Sequence, residues 1–163
     1  MRRNPRLSHV APNGAARMVD VSSKSATARS ATAEAWVCVG REIARGLRRA
    51  GGLAKGNVLE TARLAGILGA KQTPHLIPMC HPLSLDRVDI ETHLLADRVR
   101  LVATARCEGK TGVEMEAMTA AAVAALTVYD MVKSAGKGVE IGPIRLLKKS
   151  GGKSGHWNRR GSE

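Results

Sequence analysis

Between Ala117 and Val132 the chain is apolar on nearly every side: Met118, the run from Ala120 to Ala125, Leu126, Val128 and Met131 leave only a thin polar line. A helix of that kind must be covered on most sides, in a core or at a subunit interface. The fold is therefore organised around one helix, predicted over Val113–Ala135. The turn Gly109–Gly112 opens it, and Gly136 and Gly138 close it. At about 100° per residue, Glu116, Thr119, Val123, Thr127, Asp130 and Lys133 fall on one side. Ionised groups on so apolar an element are costly unless paired or used. Asp130 and Lys133, three residues apart, can meet as a surface ion pair or serve as an acid/base pair. Glu116 and Asp130 lie about 21 Å apart along an ideal helix, at roughly 1.5 Å per residue. One small ligand cannot touch both from a single chain. Either one is structural, or a pocket combines residues from two chains.

The segments around this helix change period. Met18–Ser22 alternates and reads as the first strand, and Thr27–Val39 ends in the strand-like Trp36, Val37, Cys38 and Val39. Arg41–Ala50 reads as a short helix stopped by Gly51-Gly52. Asn57 is placed to cap a helix over Val58–Ala70, with Val58, Ala62, Ala65 and Leu68 on its apolar face. Thr73-Pro74 breaks that pattern, and Pro78 and Pro82 bracket a rigid loop. Leu83–Leu95 and Arg98–Cys107 alternate around Ala96-Asp97, as an antiparallel hairpin does. Val139–Leu147 returns as a last strand with Pro143 at an edge or bend. This order predicts an α+β fold with helices on one face of an antiparallel sheet. Residues 1–17 read as a mostly irregular arm, 18–149 as a single domain, and 150–163 as a flexible Gly- and Lys-rich tail.

With no Phe, two Trp and one Tyr, the core must come from Ala, Val, Leu, Ile and Met, and oligomerisation could supply further burial. The net charge of +12 points to nucleic acid or a polyanionic small molecule. Single-strand binders stack bases on aromatic rings, of which this chain has almost none. A non-catalytic, basic RNA-binding protein is therefore the alternative, and a small polyanion is the favoured partner. No run approaches the ~18 apolar residues of a membrane span. The start, MRRNPRLSHV, has no apolar leader, so the expectation is no membrane and a cytoplasmic protein. Cys38, Cys80 and Cys107 are far apart and read as reduced, mostly buried thiols.

His81 beside Cys80, in the Pro-bracketed loop, reads as an imidazole presented to a ligand. Nothing else has metal-ligand spacing, so no metal or cofactor is expected. Lys55 precedes the Asn57 helix, where backbone N–H groups and a lysine together hold phosphate. Lys148–Gly155 resembles a P-loop but lacks its pattern and has no clear following helix. It reads equally as a lysine-bearing segment closing over phosphates or as an idle tail.

Several motifs then occur in order: Met18-Val19-Asp20-Val21-Ser22, Lys55-Gly56-Asn57-Val58, Thr61-Ala62-Arg63-Leu64-Ala65-Gly66, Leu76-Ile77-Pro78-Met79-Cys80-His81-Pro82, Gly109-Lys110-Thr111-Gly112-Val113-Glu114-Met115-Glu116-Ala117, Ala124-Ala125-Leu126-Thr127-Val128-Tyr129-Asp130-Met131, and Lys149-Ser150-Gly151-Gly152-Lys153-Ser154-Gly155. From about Leu7 to Gly155 the chain resembles the cyclic pyranopterin monophosphate synthases, the C proteins of molybdenum-cofactor biosynthesis. It departs at His75, where the family often has an acidic residue, and in its basic tail. The resemblance implies a ferredoxin-like α+β fold and a homohexamer, a trimer of dimers with the site at the dimer interface. It implies a lyase converting 3′,8-cyclo-7,8-dihydroguanosine 5′-triphosphate, a purine-derived substrate, to cyclic pyranopterin monophosphate and diphosphate. By motif match, Asp130 takes the catalytic acid/base position, and Lys133 and Lys55 match lysines of the site. Met79, Cys80, His81, Met115 and Glu116 take substrate-binding positions, and Arg29 and Lys149 match further cations there.

Overall fold

The computed structural model describes residues 8–50, 57–153 and 155–161. Strand β1 (Thr27–Cys38) is the centre of the sheet, paired antiparallel to β3 (Arg98–Gly109) on one side and β4 (Glu140–Ser150) on the other. β2 (Arg87–Leu94) lies outside β3, and the two-residue β5 (Trp157–Asn158) lies outside β4, giving the order β2-β3-β1-β4-β5. Between β1 and β2 run α1 (Gly40–Ala50), α2 (Val58–Lys71) and the single turn α3 (Thr73–Leu76). The long helix α4 (Glu114–Val132) joins β3 to β4. The first four strands with their helices thus follow the split β-α-β-β-α-β path of the ferredoxin-like fold.

Alternation decides which face is covered. Ala31, Ala33, Ala35 and Val37 of β1 point the same way as Val99, Leu101, Ala103 and Ala105 of β3, and all are buried. Against them α4 sets Ala117, Ala120, Ala121, Ala124, Ala125 and Val128. Alanine on both sides brings helix and sheet backbones close, so a core without Phe still closes. Contrary to the expectation that no run reaches the length of a membrane span, α4 is long and apolar enough by length and composition, yet half of it is buried in this fold, packed on the sheet as a core helix.

The opposite face of the sheet holds a buried charge. Glu34 has 0% exposure and accepts hydrogen bonds from Arg100 and Arg145 at 2.7 Å each, with Arg100 also stacked over Trp36. Burial pushes the Glu34 carboxyl up, but the two guanidiniums outweigh it and hold the group below its ordinary value. Beside it, Pro143 sits where the β1–β4 register shifts between Ala35 and Val37, a bulge that spares the ladder a missing donor.

Two expectations change. Met18–Ser22 is not a strand but lies along a cavity; its Asp20 accepts the Ser22 N–H at 2.8 Å in a local turn. In α2, Asn57 caps the helix through the Glu60 N–H as expected, but the buried face is Val58, Ala62, Gly66, Gly69 and Ala70. Leu68 is exposed and Ala65 only half-buried, because α2 meets α4 through glycines: Gly66 lies on Ala120 and Ala124, and Gly69 on Val123. Thr73-Pro74 breaks the pattern as expected, α2 ending at Lys71, and it starts the separate turn α3, with proline in the first turn where its missing N–H is harmless. Gly51-Gly52, read as a helix stop, lies outside the described residues.

Candidate active site

The site is assembled where α4 begins. After β3 the chain turns through Lys110–Val113, and Glu114, Met115 and Glu116 form the first turn of α4. Glu116 is 3% exposed, and its Oε2 has no hydrogen-bond partner among the described residues. Burial pushes its carboxyl above the ordinary glutamate value, and the neighbouring Glu114 charge adds to that. A carboxyl that holds its proton more firmly than an ordinary glutamate, at a cavity wall, is of a type that can exchange protons with a ligand.

That cavity is about 400 Å³ and is lined by Met79, Cys80, His81, Met115 and Glu116. Val19 and Val21 close another side, so the segment expected as a strand serves as a wall. It is fastened there by Lys110, whose Nζ donates to the Ser22 carbonyl at 3.0 Å. Asp20 is held below its usual range by the Ser22 N–H and hydroxyl, and its charge faces His81 and Lys110. Burial, with the Glu116 charge, pushes the Cys80 and Cys107 thiols up, so both favour the protonated form.

A second cavity, about 740 Å³, shares Lys24, Thr111, Gly112 and Glu114 with the first. Its lining carries Lys24, Arg29, Lys110, Lys149 and Lys153 against the single carboxylate of Glu114. Arg29 Nε donates to the Gly109 carbonyl at 2.8 Å, which aims the guanidinium. Gly151 (φ +95°) and Gly152 (φ +68°) wrap the chain over Arg29, and a Cβ on either would run into Ala28 or the guanidinium. Lys149 Nζ donates to Glu114 Oε1 at 2.7 Å. Sequence reasoning did not single out Lys24, Lys110 or Glu114, and placed Lys153 only within a lysine-bearing segment. Lys110 and Glu114 lay inside a quoted motif, but only the strand register, with Ser30 opposite Ser150, reveals that Lys149–Lys153 comes back to them.

The remaining candidates fall elsewhere. Asp130 and Lys133 lie at the far end of α4, bonded to each other at 2.6 Å, with side chains 66% and 56% exposed. The carboxylate of Asp130 raises the Lys133 ammonium above its ordinary value. Neither residue lines the two cavities. The polar line on α4 therefore runs from a buried carboxyl at one end to a solvated ion pair at the other. Lys55 lies outside the described residues. His75 is exposed, and His93 sits at the surface near Glu91 at 3.4 Å.

Fold and site together define a small α+β protein in which a polycationic cavity opens into one carrying a buried carboxyl, the equipment of an enzyme acting on a phosphate-rich molecule. The chain belongs to the MoaC family, which it matches over residues 18–152. It is 53% identical over 154 residues to a cyclic pyranopterin monophosphate synthase of Streptomyces coelicolor, covering 94% of this chain and 90% of that one. A protein of the same name from Corynebacterium glutamicum is 50% identical over 153 residues, covering 94% and 97% of the two chains. One from Methylobacterium is 55% identical over 153 residues, covering 93% and 95%.

Proposed function

We propose that the chain is a cyclic pyranopterin monophosphate synthase of molybdenum-cofactor biosynthesis. It converts 3′,8-cyclo-7,8-dihydroguanosine 5′-triphosphate to cyclic pyranopterin monophosphate and diphosphate, as a cytoplasmic enzyme. The observation that carries this reading is the junction of the two cavities. The polycationic one has the charge and volume for a triphosphate, and the other offers groups suited to proton movement next to it.

Closing the cyclic phosphate forms an O–P bond at the α-phosphorus and breaks the bond to the oxygen that leaves with diphosphate. Such transfer is accelerated by positioning and by neutralising charge on the phosphates. Arg29, Lys149 and their neighbours supply that charge. Rebuilding a purine-derived ring needs protons moved, and the Glu116 carboxyl and the His81 imidazole are suitable groups to move them where Met79, Cys80 and Met115 surround the ring. Asp130 and Lys133 complete the chemistry, with Lys55 as a further catalytic cation. Because the Asp130–Lys133 pair lies away from both cavities, it acts on the cavity of a partner subunit. The active form is a homohexamer, a trimer of dimers with the site between two chains.

Turnover of the cyclised triphosphate, followed by stoichiometric release of diphosphate, tests the reading. Wild-type protein should release one diphosphate per pterin formed. Asp130→Asn and Lys133→Ala should keep the fold and lose at least about a hundredfold in rate, the range of a general acid/base group. A wild-type rate in Lys133→Ala would remove that residue from catalysis.

A further inference from the structure

Among the cations of the larger cavity, two are held by neutral partners: Lys110 by the Ser22 carbonyl and Arg29 by the Gly109 carbonyl. A carbonyl orients a cation and leaves its full charge available. Lys149 is held differently, by the carboxylate of Glu114 at 2.7 Å, with the two side chains 27% and 29% exposed. Its charge is already balanced. Glu114 lines both cavities, and its carboxylate folds back over Gly112, where a Cβ would collide with it. The carboxylate therefore occupies a position that a phosphate oxygen would take on Lys149, at the boundary between the two cavities.

We propose that Glu114 is a positioning residue that competes internally with phosphate for Lys149 and so drives out the diphosphate product. The inference rests on the reading that the polycationic cavity holds the triphosphate. Free diphosphate concentrates charge that the substrate spreads along an esterified chain. A cavity of fixed cations would therefore retain the product strongly. A carboxylate that swings back to Lys149 as the diphosphate loosens replaces one anion by another, so the ammonium is never left unpaired. On entry, the substrate displaces the same carboxylate.

The test is calorimetric titration of inorganic diphosphate into wild type, Glu114→Gln, Lys149→Met and the double variant. It is paired with steady-state and single-turnover kinetics. Glu114→Gln should bind diphosphate about tenfold more tightly, as expected when a close charged competitor is removed. The gain should vanish in the Lys149→Met background. The kcat and KM of Glu114→Gln should fall together while its single-turnover rate stays within about twofold, which a residue of merely structural role would not produce. If Lys149→Met weakens diphosphate binding but Glu114→Gln does not strengthen it, the competition is wrong and the phosphate site stands. If Lys149→Met leaves diphosphate binding unchanged, the phosphate site is wrong and the competition falls with it.

Discussion

Glu116 shows how a carboxyl can be held at a cavity wall at the expense of stability. It stands in the first turn of α4, where the helix dipole favours a negative charge. Its burial and the absence of a partner for Oε2 among the described residues nevertheless raise its carboxyl. The sign of the pH effect follows. The unfolded glutamate releases its proton near pH 4.3, and the folded one at higher pH. Between those two values the native state binds more protons, so its stability falls as pH rises through the window and is then level. Glu116→Gln removes the charge and should be more stable than wild type at pH 7 by about 1 kcal/mol, a fraction of the cost of an unsatisfied buried group. The difference should shrink below about pH 4. Thermal melts at the two pH values check this, and an equal difference at both would show that titration of Glu116 is not the cause. Glu116 could be read from sequence as the polar member of an apolar helix. That its partner is missing could not, because this depends on how Met79–His81 and the 18–22 segment close around it.

At the scale of elements, small residues set the geometry. α2 and α4 approach through Gly66 and Gly69, and α4 lies on a floor of alanines in β1 and β3. Gly66→Ala would gain up to about 1 kcal/mol of helix propensity in an open helix. Here the added Cβ would strike Ile90 Cδ1 and lie 2.8 Å from the Ala120 carbonyl oxygen and 3.1 Å from Ala124 Cβ. Ile90 can rotate, but the carbonyl belongs to the helix backbone and cannot move alone. Net destabilisation of about 1–3 kcal/mol is expected from overpacking, read as a lower urea midpoint at unchanged m-value; equal or higher stability would mean the two helices separate freely. Periodicity made β1–β4 and the helices legible, since each alternation or apolar line reports its own burial. It failed at two places for physical reasons. The 18–22 stretch alternates like a strand, but its Val19 and Val21 line a cavity instead of pairing with the sheet, which no local pattern distinguishes. Leu68 matched a helical face, yet the true contact face was drawn by glycines, which carry no hydrophobic signal.

Among the described residues the proposed catalytic groups lie in two places. Glu116, His81 and the cations meet at one end of α4, while Asp130 and Lys133 stand in solvent at the other. An exposed pair of that kind contributes little to stability, so its value must come from what is brought to it. Leu64, Leu68 and Leu76 on α2 and α3, and Leu126 on α4, are exposed as well, and a second copy covering such apolar side chains would add burial that the aromatic-poor core lacks. A two-fold dimer that places each Asp130 against the other chain's cationic cavity makes a quantitative prediction. Asp130→Asn and Lys149→Met subunits should each be inactive alone. In a mixed dimer, one site combines the intact Lys149 of one chain with the intact Asp130 of the other, and the second site carries both lesions. Random exchange of equal amounts makes half the dimers mixed, with one live site in two, so activity should return to roughly a quarter of the wild-type value per chain. The subunits are mixed, exchanged through mild denaturant and assayed for diphosphate release. Recovery near a quarter supports a site shared between chains. No recovery, with mixed dimers confirmed by mass, means that each chain builds its site alone and that α4 must then present Asp130 to its own cavity by a rearrangement of the fold.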